Sequence, residues 1–222
     1  PTMRYFPALL DLQRRLCLVV GGGRVAERKV RSLLKAGALV KVISPKITPS
    51  LFRLELKGQI VHHPRSFRSR DLRGVFLCIA ATDDRAINER VSGQALQLKI
   101  PVNVVDDPAH SSFIVPAVVE QGDLLVAIST SGKSPALAKF LRQQFQKEIG
   151  PEYSFFLKLL GAVRKKVLSL GFGPKRNQAI FRKLVRDDLF SLIRKKDWRR
   201  LETRMRSILG LRFTLKELGW KR

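Results

Sequence analysis

Apolar residues run unbroken from Leu16 to Val20, and further mainly apolar stretches that read as strands return at Leu39–Ile43, interrupted by Lys41, at Val75–Ala81 and at Ile100–Val105, interrupted by Pro101 and Asn103, with a weaker one at Ile60–His62. Runs of this length without polar alternation predict strands covered on both faces, as in a parallel sheet. Between the first two, Ala26, Val30, Leu33 and Leu34 recur at helical spacing, and Gly37 stands where a helix C-terminal glycine belongs. Ser44-Pro45 ends the second strand, because proline cannot extend the ladder. A helix over about 85–98 follows the fourth strand. Strands alternating with helices predict a doubly wound parallel sheet.

After Asp106 the rhythm changes. Phe113–Val119 and Leu124–Ser129 are extended stretches separated by Gln121-Gly122, which predicts a hairpin or small added sheet. Ser134-Pro135 supplies an N-cap and a first-turn proline for a helix to about Glu148, and Gly150-Pro151 breaks it. From Glu152 the pattern is helical, interrupted at Gly171–Pro174. The expected architecture is therefore α/β, a Rossmann-like domain over residues 1–112, a small α+β region over 113–150 and a helical domain over 151–222.

The first strand opens into a glycine turn. Gly21, Gly23 and Ala26 fit the spacing G-x-G-x-x-[G/A], directly after a buried strand and at the start of a helix. In that setting the pattern predicts a dinucleotide site: Gly21 allows the tight turn, Gly23 lets a pyrophosphate approach, and Ala26 keeps helix and strand close. Gly21, Gly22, Gly23, Arg24 and Val25 are thus candidate cofactor contacts. The acidic residue that usually holds the ribose is missing, since no Asp or Glu occurs between Leu39 and Leu54. Ser44 is the polar residue at that place, while Lys46 tolerates an added phosphate, so NAD and NADP both stay open. Ala81 and Thr82, at the end of the fourth strand, are expected near the nicotinamide half, and Asp83 and Asp84 are expected to cap the next helix.

Charge narrows the choice of partner. Forty-three Lys and Arg face 18 Asp and Glu, a net charge of +25, which draws polyanions toward the surface. The basicity is general but denser after residue 150, where 20 basic residues meet six acidic ones. Cys17 and Cys78 lie inside apolar runs and are expected as reduced core thiols of a cytoplasmic protein. No apolar stretch reaches the roughly 20 residues of a membrane helix, and the start of the chain does not have the form of a signal peptide.

Further chemistry is expected around two turns. Asp106 falls just past the fifth strand, on the ligand edge of the sheet, where a carboxylate can move protons; Asp107, before Pro108, fits an ordinary turn role better. The segment Ser129, Thr130, Ser131, Gly132, Lys133 and Ser134 is either a capping turn or a receptor for a substrate carboxylate. It is not a phosphate loop, because the required earlier glycine is Ala127. The three histidines lack the spacing of a metal site.

The segments FPALLDLQRRLCLVVGGGRVAERKV, IAATDD, NVVDDP and SSFIVPAVVEQGDLLVAISTSGKSPALAKFLR together resemble the precorrin-2 dehydrogenase/sirohydrochlorin ferrochelatase family, which includes the N-terminal module of siroheme synthase. The resemblance covers about residues 3–150. It implies NAD-dependent oxidation of precorrin-2 to sirohydrochlorin, in some members followed by Fe²⁺ insertion, by a homodimer whose region 113–150 forms the dimer contact. It also implies that Asp106 is the catalytic carboxylate, that Ser44 and Val104 join the cofactor contacts, and that Ser129–Lys133 lie near a polycarboxylate tetrapyrrole. At the position where siroheme synthase can carry a phosphorylated serine, this chain has Thr130. Uroporphyrinogen methylation is expected to occur elsewhere, and neither nucleic acid nor membrane is the expected partner. The alternative from another class is an NAD-sensing nucleic-acid binder using the basic tail.

Overall fold

The computed structural model describes residues 4–210. The chain divides into two compact units, one ending at Val115 and the other beginning at Pro116.

The first unit carries five parallel strands: β1 (Leu16–Val20), β2 (Leu39–Ile43), β3 (Ile60–His63), β4 (Leu77–Ala80) and β5 (Val102–Val104). Their spatial order is β3-β2-β1-β4-β5, so β1 lies at the centre and the chain reverses direction of growth between β1 and β4. Such a switch point is where doubly wound sheets bind ligands, beyond the carboxyl ends of the strands. Helices α1 (Arg24–Lys35), α2 (Pro49–Leu56) and α3 (Arg85–Gln97) complete the α/β layers. The Rossmann-like expectation is borne out.

The unbroken apolar strands are buried as their composition requires. Cys17, Val19, Val40 and Val42 pack on one face with Ala26, Val30 and Leu33 of α1, while Leu18, Val20, Cys78 and Ala80 pack on the other with Val91 and Ala95 of α3. Burial pushes the Cys17 thiol up to about 11 and that of Cys78 to about 12, so both stay protonated hydrophobes at neutral pH. Gly37 ends α1 with a φ of 78°, the left-handed conformation that lets its N–H reach Leu34 O and the next N–H reach Leu33 O. Helix α2 had no counterpart in the periodicity; it is nucleated by Thr48, whose side chain accepts from Leu51 N, with Pro49 in the first turn.

The second unit begins with an antiparallel hairpin, β6 (Ala117–Gln121) and β7 (Leu124–Ile128), followed by α4 (Pro135–Glu148). Gly122 takes the first turn position at φ 61°, and a Cβ there would meet the Ser154 side chain, so glycine is required twice over. Among the described residues four further helices follow: α5 (Pro151–Ser169), α6 (Pro174–Arg186), α7 (Leu189–Arg194) and α8 (Trp198–Leu209). Leu159 and Val163 of α5, Leu184 of α6, Leu189 of α7, and Leu201 and Met205 of α8 form its core. The expected break at 171–174 lies between α5 and α6. The boundary expected near residue 150 falls at Gly150, inside this unit, between α4 and α5. Among the described residues no helix is long and apolar enough to cross a membrane.

Candidate functional site

A cavity of about 550 Å³ opens at the carboxyl end of the first unit's sheet, at the switch point between β1 and β4. Its wall includes Gly21, Gly22, Gly23, Arg24 and Val25 from the glycine turn, Ser44 to Thr48 past β2, Arg65 to Phe67 past β3, and Ala81 to Asp83 past β4. Eight of the nine sequence-predicted cofactor contacts meet here.

Each glycine of the turn is needed for a different reason. Gly21 has a φ of 124° and backs directly onto β4: a Cβ on it would stand 2.2 Å from the Ala81 carbonyl oxygen. Gly22 has an ordinary backbone, yet a Cβ there would fall 1.9 Å from the Lys46 carbonyl oxygen and 2.7 Å from Ser44 Oγ. Gly23 faces open space, with nothing within 4 Å of a Cβ. The general spacing leaves the middle position free, so the requirement at Gly22 was not legible from it. The turn is tied in place by Gly21 N donating to Ile43 O at 2.9 Å and Thr48 N donating to Gly22 O at 3.0 Å. Helix α1 begins immediately afterwards and no side chain caps it. Its first N–H groups thus face the cavity beside an unobstructed Gly23, which is the arrangement a pyrophosphate fits.

Ser44 is buried and its hydroxyl donates to Lys46 O at 2.7 Å, which closes the turn past β2. The oxygen keeps lone pairs with which to accept from a ribose hydroxyl. His62 braces this turn from β3, its Nε2 lying 2.9 Å from Ser44 O and its Nδ1 3.4 Å from Glu55 Oε2. At β4, Asn88 clamps the backbone of Thr82: its Nδ2 donates to Thr82 O at 2.9 Å, and its Oδ1 accepts from Thr82 Oγ1 at 2.8 Å. The two aspartates that follow divide their roles. Asp84 caps α3 by accepting from Ile87 N at 3.1 Å, whereas Asp83 lines the cavity instead of capping.

Val104 is the ninth contact and the structure does not bring it to the cavity. Its side chain is buried in the sheet core, its N–H donates to Ser111 Oγ, and its carbonyl accepts from Asp107 N. Asp106 stands one turn further on, exposed, with a φ of 59° that few residues other than Asn, Asp and Gly adopt readily. Asp107 does the structural work of the loop, as its place before proline suggested. Its carboxylate accepts from Ala109 N and His110 N and sits 2.7 Å from His110 Nδ1, and the His110 interaction holds it below the usual carboxylate range. Asp106 is left with its carboxylate outside that network. Lys29 of α1 feels its charge: burial, then Arg28, pushes the Lys29 ammonium below its ordinary range, and Asp106 partly offsets this.

Sequence reasoning missed Lys29 and the Arg65–Phe67 wall. The signal for the wall was available, because Arg65-Ser66-Phe67 directly follows a strand end on the ligand edge of the sheet.

In the second unit the turn 129–134 is internally satisfied. Ser129 Oγ accepts from Ser131 N at 3.0 Å, Thr130 Oγ1 accepts from Ser134 N at 3.1 Å, and Ser134 caps α4 by accepting from Leu137 N. Ser131 and Gly132 both take positive φ and are exposed together with Lys133. The capping role is therefore real, and Ser129, Ser131, Gly132 and Lys133 remain exposed, with Lys133 the one charged side chain among them.

These features define a dinucleotide-binding Rossmann unit joined to a hairpin-and-helix unit. Residues 8–117 match the family described as putative NAD(P)-binding, and residues 121–148 match the family described as sirohaem biosynthesis protein, central. The chain is 44% identical over 165 residues to a siroheme synthase of Thioalkalivibrio sulfidiphilus, covering 74% of this chain and 34% of the relative. It is 39% identical over 202 residues to siroheme synthase 2 of Aeromonas salmonicida, covering 90% and 42%. Among solved structures it is similar to SirC, precorrin-2 dehydrogenase, with a TM-score of 0.74 and 27% identity over 90% of this chain and 100% of that one. The chain belongs to the precorrin-2 dehydrogenase/sirohydrochlorin ferrochelatase family, the family of the siroheme synthase N-terminal module. It spans about a third of the length of the first siroheme synthases it matches.

Proposed function

We propose that the protein oxidises precorrin-2 to sirohydrochlorin with NAD in siroheme biosynthesis. The observation that carries this reading is the cavity at the β1/β4 switch point, where an uncapped helix start and an open Gly23 offer a dinucleotide seat in a family to which a precorrin-2 dehydrogenase belongs. NAD held there would supply the acceptor for a hydride from a saturated ring carbon of the substrate. The oxidation removes two hydrogens in all, one as hydride (a proton with two electrons) and one as a proton, so that it would balance as precorrin-2 and NAD⁺ giving sirohydrochlorin, NADH and H⁺.

The chain's own residues supply position and proton transfer. Gly21–Val25 hold the pyrophosphate, Ser44 the ribose, and Ala81 and Thr82 the nicotinamide side. Asp106 takes the second proton, a role suited to a carboxylate left outside the Asp107–His110 network. Lys133 and the Ser129–Gly132 turn engage the substrate's carboxylates, and the net charge of +25 raises their encounter rate. Fe²⁺ insertion into sirohydrochlorin is a further step of the same proposal, in which Asp106 accepts pyrrole protons as the metal enters.

The working form is a homodimer in the cytoplasm. A two-stranded sheet is marginal by itself, and beside it Leu125, Leu137, Phe140 and Phe145 are exposed on β7 and α4, a surface suited to a second copy. The three-part division, with 113–150 as dimer contact and 151–222 as basic helical domain, is part of this reading. The relatives give no support to a nucleic-acid-binding regulator.

Anaerobic incubation with precorrin-2 and NAD tests the function. NADH and the sirohydrochlorin spectrum are expected together; the absence of both defeats the proposal. Asp106→Ala lowers turnover by about 10²–10⁴-fold while NAD titration still saturates, and retained turnover removes Asp106 from its role.

A further inference from the structure

The cavity has no carboxylate past β2, so the usual barrier against a 2′-phosphate is absent. A cation does stand in the wall. Arg65, two residues past β3, lines the cavity next to the Ser44–Thr48 segment.

The guanidinium of Arg65 is already engaged. Nη1 donates to Asp71 Oδ2 at 2.8 Å and Nη2 donates to Asp71 Oδ1 at 2.6 Å, a bidentate pairing, and Nη1 also donates to Ser66 O at 3.0 Å. Asp71 sits on a 3₁₀ turn over Ser69–Leu72 with only 5% of its side chain exposed. It is anchored further by accepting from Arg68 N at 2.8 Å, while its own carbonyl accepts from Lys41 Nζ at 2.7 Å. Arg65, above all, holds the Asp71 carboxyl below the ordinary range. The other cations in the cavity wall, Arg24 and Lys46, are exposed, where water and salt screen them.

We propose that the Arg65–Asp71 pair determines cofactor specificity, making the site select NAD over NADP. An arginine fork matches a phosphate through two parallel hydrogen bonds, and Asp71 occupies that fork. The carboxylate that other dinucleotide sites aim at the ribose is replaced here by one that neutralises the nearby cation. The inference rests on the dinucleotide reading of the cavity.

Calorimetric titration of the full chain with NAD and NADP tests it, read as the ratio of the two affinities. Wild type binds NAD about tenfold or more tightly than NADP. Asp71→Asn keeps an acceptor for Arg68 N but removes the charge and frees the guanidinium, so NADP gains on NAD by about tenfold, the size of one charge-assisted hydrogen bond. Arg65→Gln leaves the carboxylate uncompensated, so NADP loses a further few-fold relative to NAD, roughly what one partly screened charge supplies. The double variant abolishes the gain seen in Asp71→Asn.

A wild type that prefers NADP overturns the proposal, as do two single variants that leave the ratio unchanged while NAD binds. If Asp71→Asn does not fold, an unchanged or improved NADP affinity in Arg65→Gln is enough to defeat it. A wild type that binds neither dinucleotide removes the parent reading, and this inference with it.

Discussion

The two sheets of this protein are built on opposite terms. The central strands β1 and β4 of the first unit are covered on both faces, with Val61 of the edge strand β3 left exposed, and the cavity lies at the carboxyl edge of the sheet. The hairpin of the second unit has one fully buried apolar residue in β6, Val119, and α4 beside it has none. Phe140 is 53% exposed and Leu137 48%. A layer that buries its apolar surface within the chain can hold a small molecule as a preformed site; one that leaves phenylalanines in water is completed by another surface. The proposed roles divide along the same line: cofactor binding is assigned to the first unit by itself, and self-association to the hairpin layer.

The largest expected effect tests the self-sufficient side. Gly21→Ala forces a Cβ against the Ala81 carbonyl at a φ that only glycine tolerates, in a turn whose backbone is held at both ends. A loss of about 3 kcal/mol or more is expected in the first unit, read as an earlier calorimetric transition with dinucleotide binding gone. Gly23→Ala is the contrast. Its Cβ meets nothing, so the melting transition stays within about 0.5 kcal/mol of wild type while dinucleotide affinity falls, because the methyl occupies the approach of the pyrophosphate. Equal destabilisation by both substitutions would mean that the turn is shaped by folding alone.

The next effect falls on the hairpin side. If the exposed apolar surface is the proposed dimer contact, the wild type is dimeric in light scattering and Phe140→Asp, which puts a charge into it, weakens that association by about 2 kcal/mol or more, seen as a monomer at the same concentration. Dinucleotide affinity of the first unit stays within about twofold, since the substituted side chain lies outside the cavity wall. A variant as dimeric as the wild type would end the idea that α4 is the contact.

The same contrast accounts for what could be read in advance. A strand of pure Leu, Cys and Val such as β1 announces a sheet buried on both faces, and the glycine spacing announces its ligand edge, because both patterns are local. Gly22 was invisible, since its constraint comes from Lys46 and Ser44, more than twenty residues away. Arg65 and Asp71 likewise form a pair only after β3 and the 3₁₀ turn bring them together. Val104 shows the opposite limit: a position on a motif does not say whether a side chain points into the core or toward a ligand, and here the side chain is in the core and Ser111 and Asp107 bond its backbone. Helix α2 escaped notice because its eight residues carry only one buried side chain, Leu51, too few to show a period.

The smallest effect is electrostatic and again separates the units. Asp71, with 5% of its side chain exposed, has its carboxyl lowered by the partly buried Arg65, while Arg204 of α8, which bridges Asp187 and Asp188 in the second unit, is 53% exposed. A carboxyl lowered on folding binds fewer protons in the native state than in the unfolded one. Its contribution is thus complete well above the ordinary aspartate value of about 3.9 and disappears as the pH falls through and below that value. Acid melts between about pH 5 and 2 are expected to destabilise the first unit, and Asp71→Asn to flatten that dependence, because the amide no longer takes up a proton. Raising the salt weakens the Arg204 contacts first, since exposed pairs are screened and the enclosed Arg65–Asp71 pair much less so. An acid profile of the first unit that is the same with and without the Asp71 charge would show that its stability is set by packing alone, and the distinction between an enclosed pair and an open one would lose its energetic content.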